Sequence, residues 1–360
     1  MSVAIIVDHS YHQKTQSSSF FHDFLKDCFH EVYEFWDESW HGGPNIKADE
    51  INAVNPDAVF IFQILYPASY YDQLSCSKIF IVPMYDGALG WSDQRWLRWR
   101  KLNFINYSLT LHNRFIGLGM RSFYIQYFPE PMQYIEEIKK DGILWPHRSA
   151  LINERVVAAL FHDSEIKKII IHETKDPNIE PINASYLRAN GYSVAETHWF
   201  KSKNEYLEYV RKSLYFISPR EFEGIGFTFL EAMAAGTCVV APDNPTMNEY
   251  IINGENGILY DPANPQPRGI SENDPIQLGK AARNTIEKGR ENYLIRLEAL
   301  RKVLVDTNDK YWEIKVTCHG IYERCKFNTF TAMRHIARSL KLIARRRYNK
   351  QKVENNAHSL

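Results

Sequence analysis

From its first residues the chain alternates short apolar, β-branched runs with amphipathic stretches. This alternation is typical of parallel strands joined by crossover helices, so it predicts an α/β fold. Serines at positions 17, 18 and 19 offer caps before an apolar stripe and predict a helix over Ser19 to Phe29. The strands predicted in this half are Val3 to Val7, Val59 to Ile64, Ile79 to Val82, Phe104 to Tyr107 and Phe123 to Tyr127.

The segment Phe128 to Pro131 carries two prolines and interrupts this rhythm, and a second αβ series follows it. A chain of 360 residues is too long for one typical hydrophobic core. Two series therefore predict two doubly wound domains with a cleft between them, the default position of an active site. We expect an N-terminal domain over 1–135, a C-terminal domain over 136–307, and a crossover segment with a basic helix over 308–360. The strands predicted in the second half are Gly142 to Trp145, Lys168 to His172, Leu214 to Ser218 and Thr237 to Ala241.

Composition and charge exclude several classes of protein. Hydrophobic residues make up 44% and charged residues 24%, which is typical of a folded protein and not of a disordered one. The formal net charge is zero, so the chain as a whole has no electrostatic attraction to nucleic acid. Its 5 cysteines lie far apart without a CxxC pair, which indicates neither a zinc site nor a disulfide framework and favours a reducing cytoplasm. No leader sequence and no apolar run of roughly 20 residues is present, so neither secretion nor a membrane span is expected.

The segment 218–236 carries the most chemical information. A strand is predicted to end at Ser218 and a helix to begin near Phe227, with Glu223 and two glycines in the loop between them. A glycine-rich loop before a helix presents free backbone N–H groups and a partial positive charge, both of which suit a diphosphate. Glu223 and Glu231 can both face the cleft and accept hydrogen bonds from sugar hydroxyls. This layout predicts a nucleotide-sugar site.

The stretch from Glu223 to Glu231 resembles the E-x7-E motif of family 4-like retaining glycosyltransferases, which have the GT-B fold of two Rossmann-like domains. The surrounding pattern Glu-Gly-x-Gly-Phe-x-x-x-Glu-Ala-Met-Ala-x-Gly matches nearly throughout, and Asn248 to Tyr260 resembles the tail that follows. Without this match, a capping and a surface carboxylate would be the simpler interpretation. The resemblance implies that Glu223 lies beside the transferred sugar and that Glu231 binds the ribose hydroxyls of the donor. It also implies that four backbone positions lie under the sugar and diphosphate: Gly224, Ile225, Gly226 and Phe227.

Basic residues are needed to compensate the diphosphate, because two phosphate charges would otherwise face a low-dielectric cleft. The family often places one at the end of the first strand of the C-terminal domain, where this chain has Arg148. A second usually follows a few positions later. Here Arg155 is shifted and Lys175 follows a later strand, so the choice between these two stays open.

The N-terminal half resembles the family only in its strand rhythm. Asp86 follows a predicted strand and faces the cleft by topology, so it is a candidate for binding the acceptor or accepting its proton. A turn-forming Asp-Gly pair is the alternative. His112 follows the next strand and is more simply structural. The loop from Asp8 to His12 lacks the glycines common in the family, which argues against a contact with the donor.

Neither a cofactor nor a metal is expected. In a dinucleotide fingerprint that starts at Gly224, the third glycine position is occupied by Phe229, so a nicotinamide site is not indicated. The sequence has no paired aspartates of the kind that bind Mg²⁺ with a nucleotide sugar. The fold class generally acts without metal.

Residues 330–348 form a predicted amphipathic helix with a basic surround. Such a helix fits an anionic cytoplasmic membrane surface, and packing on the N-terminal domain is an equal alternative. Contact with a membrane would make a lipid-linked acceptor a natural substrate. The apolar positions are Phe330, Met333, Ile336, Ala337, Leu340, Ile343 and Ala344, and the basic positions are Arg334, Arg338, Lys341, Arg345, Arg346 and Arg347.

The resemblance implies a retaining hexosyltransferase, and the cysteine usage places it in the cytoplasm. The expected reaction moves a sugar from a nucleotide-sugar donor to a glycan or lipid-linked oligosaccharide, in surface polysaccharide biosynthesis such as that of O-antigen, capsule or lipopolysaccharide. A peripheral position at the inner face of the cytoplasmic membrane belongs to the same interpretation. The alternative is a non-catalytic partner subunit on the membrane surface, favoured by the unusual loop from Asp8 to His12.

Overall fold

The computed structural model describes residues 2–132, 140–173, 179–266, 268–305, 312, 317–329 and 331–333. Its first half contains one sheet of parallel strands. The strands are β1 (Val3–His9), β2 (Glu31–Asp37), β3 (Ala58–Phe62), β4 (Ile79–Val82), β5 (Asn103–Asn106) and β6 (Arg121–Tyr124). Their order across the sheet is β2-β1-β3-β4-β5-β6. The strand order therefore reverses direction beside β1, between β1 and β3.

The second half forms another parallel sheet. Its strands are β7 (Ile143–His147), β8 (Lys168–Glu173), β9 (Ser193–Thr197), β10 (Tyr215–Ile217), β11 (Cys238–Pro242) and β12 (Ile258–Tyr260). Their order is β12-β11-β10-β7-β8-β9, so the direction reverses between β7 and β10. In doubly wound sheets, ligands bind outside the carboxyl ends of the two strands at such a reversal.

Helices connect the strands and cover the sheets. In the first half they are α1 (Tyr11–Thr15), α2 (Ser19–Cys28), α3 (Ala48–Val54), α4 (Ala68–Tyr71), α5 (Asp93–Trp96) and α6 (Leu109–Gly117). In the second half they are α7 (Glu154–Leu160), α8 (Ala184–Ala189), α9 (Lys203–Lys212), α10 (Phe227–Ala234), α11 (Arg268–Ser271) and α12 (Pro275–Val305). Short 3₁₀ turns lie at Ser39–His41, Asp86–Ala88, Leu97–Trp99 and Met247–Glu249.

Each sheet packs one face on an apolar cluster of its own lobe. The other faces belong to a third cluster that contains residues of both lobes, including Phe80 and Phe123 from the first and Phe216 and Phe229 from the second. Burial of such aromatic side chains contributes roughly 1.5–3 kcal/mol each. The two lobes are thus joined by apolar contact as well as by the chain.

Helix α12 carries the chain from the second lobe back to the first. The guanidinium of Arg290 donates to the carbonyl oxygen of Phe128 at 2.8 Å, and that of Arg296 donates to the carbonyl oxygen of Tyr124 at 2.6 Å. Residues 318–329 are helical. They pack beside α6, where the backbone N–H of Thr317 donates to the carbonyl oxygen of Gly117 at 3.1 Å.

The predicted α/β class and nine predicted strands are confirmed, each to within three residues at either end. The helix predicted from Ser19 is also present. Three strands were missed, β2, β9 and β12, and all three lie at sheet edges. The side chains of β2 and β9 are largely half-buried or exposed, and β12 has only three residues. No continuous apolar run therefore marks these strands in the sequence. The predicted domain boundaries, after 135 and after 307, both fall outside the described residues.

Candidate functional site

The loop between β10 and α10 lies at the reversal point of the second sheet. Gly226 ends this loop as the N-cap of α10 with a φ of 83°, a conformation that glycine adopts at little cost. A β-carbon at Gly226 would fall 1.9 Å from the ring of Phe229, so no other residue fits there. The N-cap glycine has no side chain to offer to the first turn of α10. The first N–H groups of a helix have no partner within the helix, so this N-terminus favours an anion.

Glu223 lies in this loop with 8% of its surface exposed. Thr246 donates from its hydroxyl to the Glu223 carbonyl oxygen at 3.2 Å and holds the loop in place. The next residue, Gly224, faces the first lobe, where its β-carbon position is 2.8 Å from Cβ of Met84 and 3.0 Å from Oδ1 of Asp86. The structure therefore brings Asp86 and the Glu223 loop together across the cleft.

Asp86 also forms an ion pair within the cleft. Arg220, at the start of the same loop, places its Nη1 3.6 Å from Oδ2 of Asp86. The Asp86 carboxylate caps its own turn as well, since the backbone N–H of Gly87 donates to Oδ1 at 2.9 Å. The contacts with Arg220 and the Gly224 position support a role in the cleft, and the hydrogen bond from Gly87 supports the turn-forming interpretation.

Glu231 lies on α10 with 12% of its side chain exposed. Lys203 contacts its carboxylate at 2.7 Å. Burial raises the pKa of Glu231, and the nearby charge of Lys203 lowers it without cancelling the rise. The hydroxyl of Tyr206 is buried, and its pKa is raised by burial and by the Glu231 charge, while Arg148 lowers it. Glu231 and Arg148 therefore each lie within electrostatic reach of the Tyr206 hydroxyl.

The basic residues predicted to hold the diphosphate are placed differently from one another. Arg148 directly follows β7, at the reversal of the strand order, and its charge also lowers the pKa of His172 after the larger effect of burial. Arg155 lies in α7, with its guanidinium over the ring of Tyr186 at 5.4 Å. Lys175 lies outside the described residues. Arg148, like Glu231, acts electrostatically on the buried Tyr206 hydroxyl.

His112 is buried in the first lobe. Its Nδ1 and the hydroxyl of Ser122 are 2.8 Å apart, and Asn106 donates to the same hydroxyl at 2.7 Å. These contacts join α6, β5 and β6. They agree with the structural interpretation of His112.

A charged network that the sequence interpretation did not identify lies at the carboxyl end of β1. Asp8 is fully buried and is hydrogen-bonded to Nδ1 of His12 at 2.6 Å and to Nε2 of His22 at 2.9 Å. Burial would raise the pKa of Asp8, but these hydrogen bonds lower it to about 2. Nδ1 of His22 lies 3.1 Å from Glu34, and the two carboxylates raise the pKa of His22 against the effect of burial. Asp8 lies in β1, His12 in α1 and His22 in α2, so no periodicity of a single element marked this network in the sequence.

The sequence of residues 188–291 matches the family of glycosyl transferases group 1. No match was found among curated proteins. Among solved structures, the lipopolysaccharide outer core galactosyltransferase WaaB superposes with a TM-score of 0.60 at 16% identity, over 84% of this chain and 99% of WaaB. HepE of Anabaena, solved with UDP and glucose, gives 0.60 at 13% identity over 84% and 99%.

The chain has the GT-B fold. TarM, a third structure, aligns with a TM-score of 0.53 at 15% identity over 69% of this chain, which spans 57% of TarM. In this GT-B protein, the segment matched by the group 1 family contains Glu223, Glu231 and Lys203. Asp86 lies in the other lobe, outside the match. No helix among the described residues combines the length and the hydropathy that crossing a bilayer requires.

Proposed function

We propose that the protein is a retaining hexosyltransferase that transfers a sugar from a nucleotide-sugar donor to a glycan or lipid-linked oligosaccharide. The observation that carries this proposal is the loop from Glu223 to Gly226. It lies at the reversal of the strand order, inside the group 1 match, and leads directly into the N-terminus of α10. Ligands of doubly wound folds bind at this position.

The donor is assigned to the second lobe. The diphosphate lies against the N-terminus of α10 and the backbone of Gly224, Ile225, Gly226 and Phe227, where N–H groups and the helix dipole favour negative charge. The guanidinium of Arg148 binds the diphosphate, and Lys175 is proposed as the second cation that compensates its charge. Glu231 accepts hydrogen bonds from the ribose hydroxyls, replacing its contact with Lys203. HepE was solved with UDP and glucose, which makes uridine diphosphate sugars the first donors to test.

The transfer step takes place between the lobes. The bond between the anomeric carbon and the diphosphate oxygen breaks, and the acceptor hydroxyl forms the new bond on the same face of the sugar. Its proton passes to the leaving diphosphate, whose charge the helix N-terminus stabilises. Glu223 orients the transferred sugar, and Asp86, which lies 3.0 Å from the β-carbon position of Gly224, orients the acceptor. Neither glutamate becomes covalently attached, and no cofactor or metal takes part.

The acceptor is proposed to be a cell-surface glycan or its lipid-linked precursor, as in O-antigen, capsule or lipopolysaccharide synthesis. Two structural neighbours support this class, since WaaB is described as a lipopolysaccharide core galactosyltransferase and TarM was solved with α-GlcNAc-glycerol and UDP. We propose a cytoplasmic enzyme that touches the inner face of the membrane through residues 330–348. Of that segment the structure describes residues 331–333 alone.

A panel of UDP-, GDP- and dTDP-sugars tests the proposal, with donor turnover and nucleoside diphosphate binding measured separately. Glu223→Ala and Glu231→Ala are each expected to lower kcat/KM by roughly 10²–10³-fold, because each removes a contact to the reacting ligand. Glu208→Ala is the matched control, since Glu208 is an exposed glutamate of α9. Full activity in both site variants would disprove the site.

Two further readouts separate the finer parts of the proposal. NMR of the product assigns the anomeric configuration, and an inverted product contradicts the retaining mechanism. Binding of a nucleoside diphosphate without turnover of any donor, with every acceptor class supplied, favours the alternative of a non-catalytic subunit.

A further inference from the structure

A cavity of about 460 Å³ opens on the first-lobe side of the cleft. Met84, Asp86 and Arg220 line one end of it, beside the loop that contains Gly224. Its volume lies within the range of small-ligand sites, roughly 300–1,000 Å³. A molecule in this cavity would therefore lie next to the proposed position of the transferred sugar.

An aromatic ring forms one wall of the cavity. Trp40 lines it with 48% of its surface exposed. One face of Trp40 stacks on His9, with ring centroids 4.2 Å apart and an interplanar angle of 14°. The backbone N–H of Trp40 also donates to Nε2 of His9 at 3.2 Å. The ring is thus held from behind, while nearly half of the residue stays accessible to a flat apolar surface such as a sugar face.

A guanidinium forms another wall. Arg95 lies over the ring of Trp91 at 3.4 Å, and Trp99 stacks against Trp91 at 5.8 Å. The indole N–H of Trp99 donates to the carbonyl oxygen of Tyr66 at 3.0 Å, so this stack is anchored in the lobe. Within the described part of the chain, the Arg95 guanidinium makes no hydrogen bond or ion pair. The stack therefore fixes the plane of Arg95 and leaves its N–H groups for a ligand.

The charges around the cavity favour an anion. Three charged residues line it, Arg95, Arg220 and Asp86, and the last two form an ion pair at 3.6 Å. One positive charge is thus left uncompensated, on the guanidinium that is held flat. A planar guanidinium matches the two oxygens of a carboxylate or phosphate and binds them through two parallel hydrogen bonds.

We propose that this cavity binds an acidic saccharide, whose ring stacks on Trp40 and whose carboxylate or phosphate group is bound by Arg95. The inference rests on the proposed function, in which this saccharide is the acceptor. It specifies the acceptor as a sugar that carries an acid, either a uronic acid or a sugar phosphate, at or next to the residue that is glycosylated.

The test measures binding of three methyl glycosides to the full-length protein by titration calorimetry or saturation-transfer NMR: a neutral hexoside, a uronide and a hexoside phosphate. The wild type is expected to prefer one or both acidic glycosides by about 10-fold or more, the usual effect of a hydrogen-bonded charge. Arg95→Gln should remove this preference. Arg98→Gln is the matched control, because Arg98 is an exposed arginine of the next turn that does not line the cavity, and it should keep the preference.

Each outcome decides for or against the inference. The inference is supported if Arg95→Gln loses the preference while Arg98→Gln keeps it, and if Trp40→Ala binds both neutral and acidic glycosides more weakly. The acidic glycoside that binds more tightly then shows whether the site takes a carboxylate or a phosphate. Equal binding of neutral and acidic glycosides, equal losses in the two arginine variants, or binding of neither class overturns it. Nucleoside diphosphate binding is measured in the same samples. Its absence contradicts the proposed function, whereas its presence with no acid preference contradicts this inference alone.

Discussion

Ser108 in the first lobe donates a hydrogen bond of 2.9 Å from its hydroxyl to the carboxylate of Glu249 in the second lobe. The same carboxylate accepts the backbone N–H groups of Leu109 at 2.7 Å and Thr110 at 2.9 Å. These are the first residues of α6, so a side chain from one lobe caps a helix of the other. Glu249 belongs to the segment that resembles the family's tail, and its position gives that segment a role in joining the lobes.

Replacing Glu249 with alanine should destabilise the protein by about 1–3 kcal/mol, because several N–H and hydroxyl donors lose a charged acceptor. Chemical denaturation monitored by fluorescence measures the change. Glu255→Ala, at an exposed glutamate of a nearby turn, serves as the control and should change stability by less than about 0.5 kcal/mol. Equal stability of the two variants would contradict the capping role.

Replacing Gly224 with alanine should impair transfer more than folding. The new methyl group would lie 2.8 Å from Cβ of Met84 and 3.0 Å from the Asp86 carboxylate, so the Glu223 loop must move away from the first lobe. A displacement near 1 Å at a reacting centre costs on the order of 100-fold in rate, so kcat/KM should fall by about 10–100-fold. Gly117→Ala is the control, since its methyl group would meet only ordinary contacts at 3.5 Å. Unchanged kinetics in Gly224→Ala would show that the loop can approach Asp86 in other ways.

Replacing Lys203 with methionine should shift the pH dependence of nucleotide binding. Burial raises the pKa of Glu231, and Lys203 opposes this rise, so its removal raises the pKa further. Glu231 then becomes protonated at a higher pH, and affinity for a nucleoside diphosphate should weaken at a higher pH than in the wild type. Calorimetric titrations from acidic to neutral pH measure the midpoint. Lys212→Met removes an exposed lysine of the same helix, and an identical shift in that control would refute the assignment.

The network around Asp8 should give stability a defined pH window. The pKa of Asp8 is lowered from 3.8 to about 2, so its contribution is present above its unfolded pKa and is lost as the pH falls toward 2. The pKa of His22 is raised from 6.5, so its contribution is present below that value and is lost as the pH rises through the folded-state pKa. Both contributions coincide between about pH 4 and pH 6.5.

Asp8→Asn should therefore lower the free energy of unfolding in that window by about 2 kcal/mol, the equivalent of the shift at Asp8. The difference from the wild type should shrink as the pH falls through about 2, since Asp8 is protonated in both states only below that pH. Urea denaturation at a series of pH values measures it, with Asp23→Asn, an exposed carboxylate of α2, as the control. A loss that is the same at every pH would assign the effect to packing and not to charge.

Every interior strand was predicted from the sequence, whereas three of the four edge strands, β2, β9 and β12, were not. Strands such as β3 and β4 are buried on both faces, so their residues form continuous apolar runs that mark them in the sequence. Strand β9 has exposed and half-buried residues, because an edge strand has a neighbouring strand on one side only. Its sequence, Ser193 to Thr197, carries no such run.

Some residues of the candidate site could likewise be identified from the sequence, and others could not. Glu223, Gly226 and Glu231 were identifiable because they lie within one loop and one helix turn, where spacing along the chain fixes spacing in the molecule. Lys203 and Tyr206 were not, since they come from α9 and meet Glu231 only through packing of two helices. The lack of glycines from Asp8 to His12 argued against a contact with the donor and gave no indication of the buried network that Asp8 forms with His12 and with His22 of α2.

The sequence by itself determined the two α/β halves and the loop and helix that follow β10, because both depend on periodicity and on residues a few positions apart. Only the tertiary structure decided that Asp86 lies against Gly224, that Lys203 contacts the carboxylate of Glu231 and that Glu249 caps α6. Ser108 and Glu249 are 141 positions apart, and such contacts follow from how the lobes pack on each other. No local pattern of residues encodes that packing.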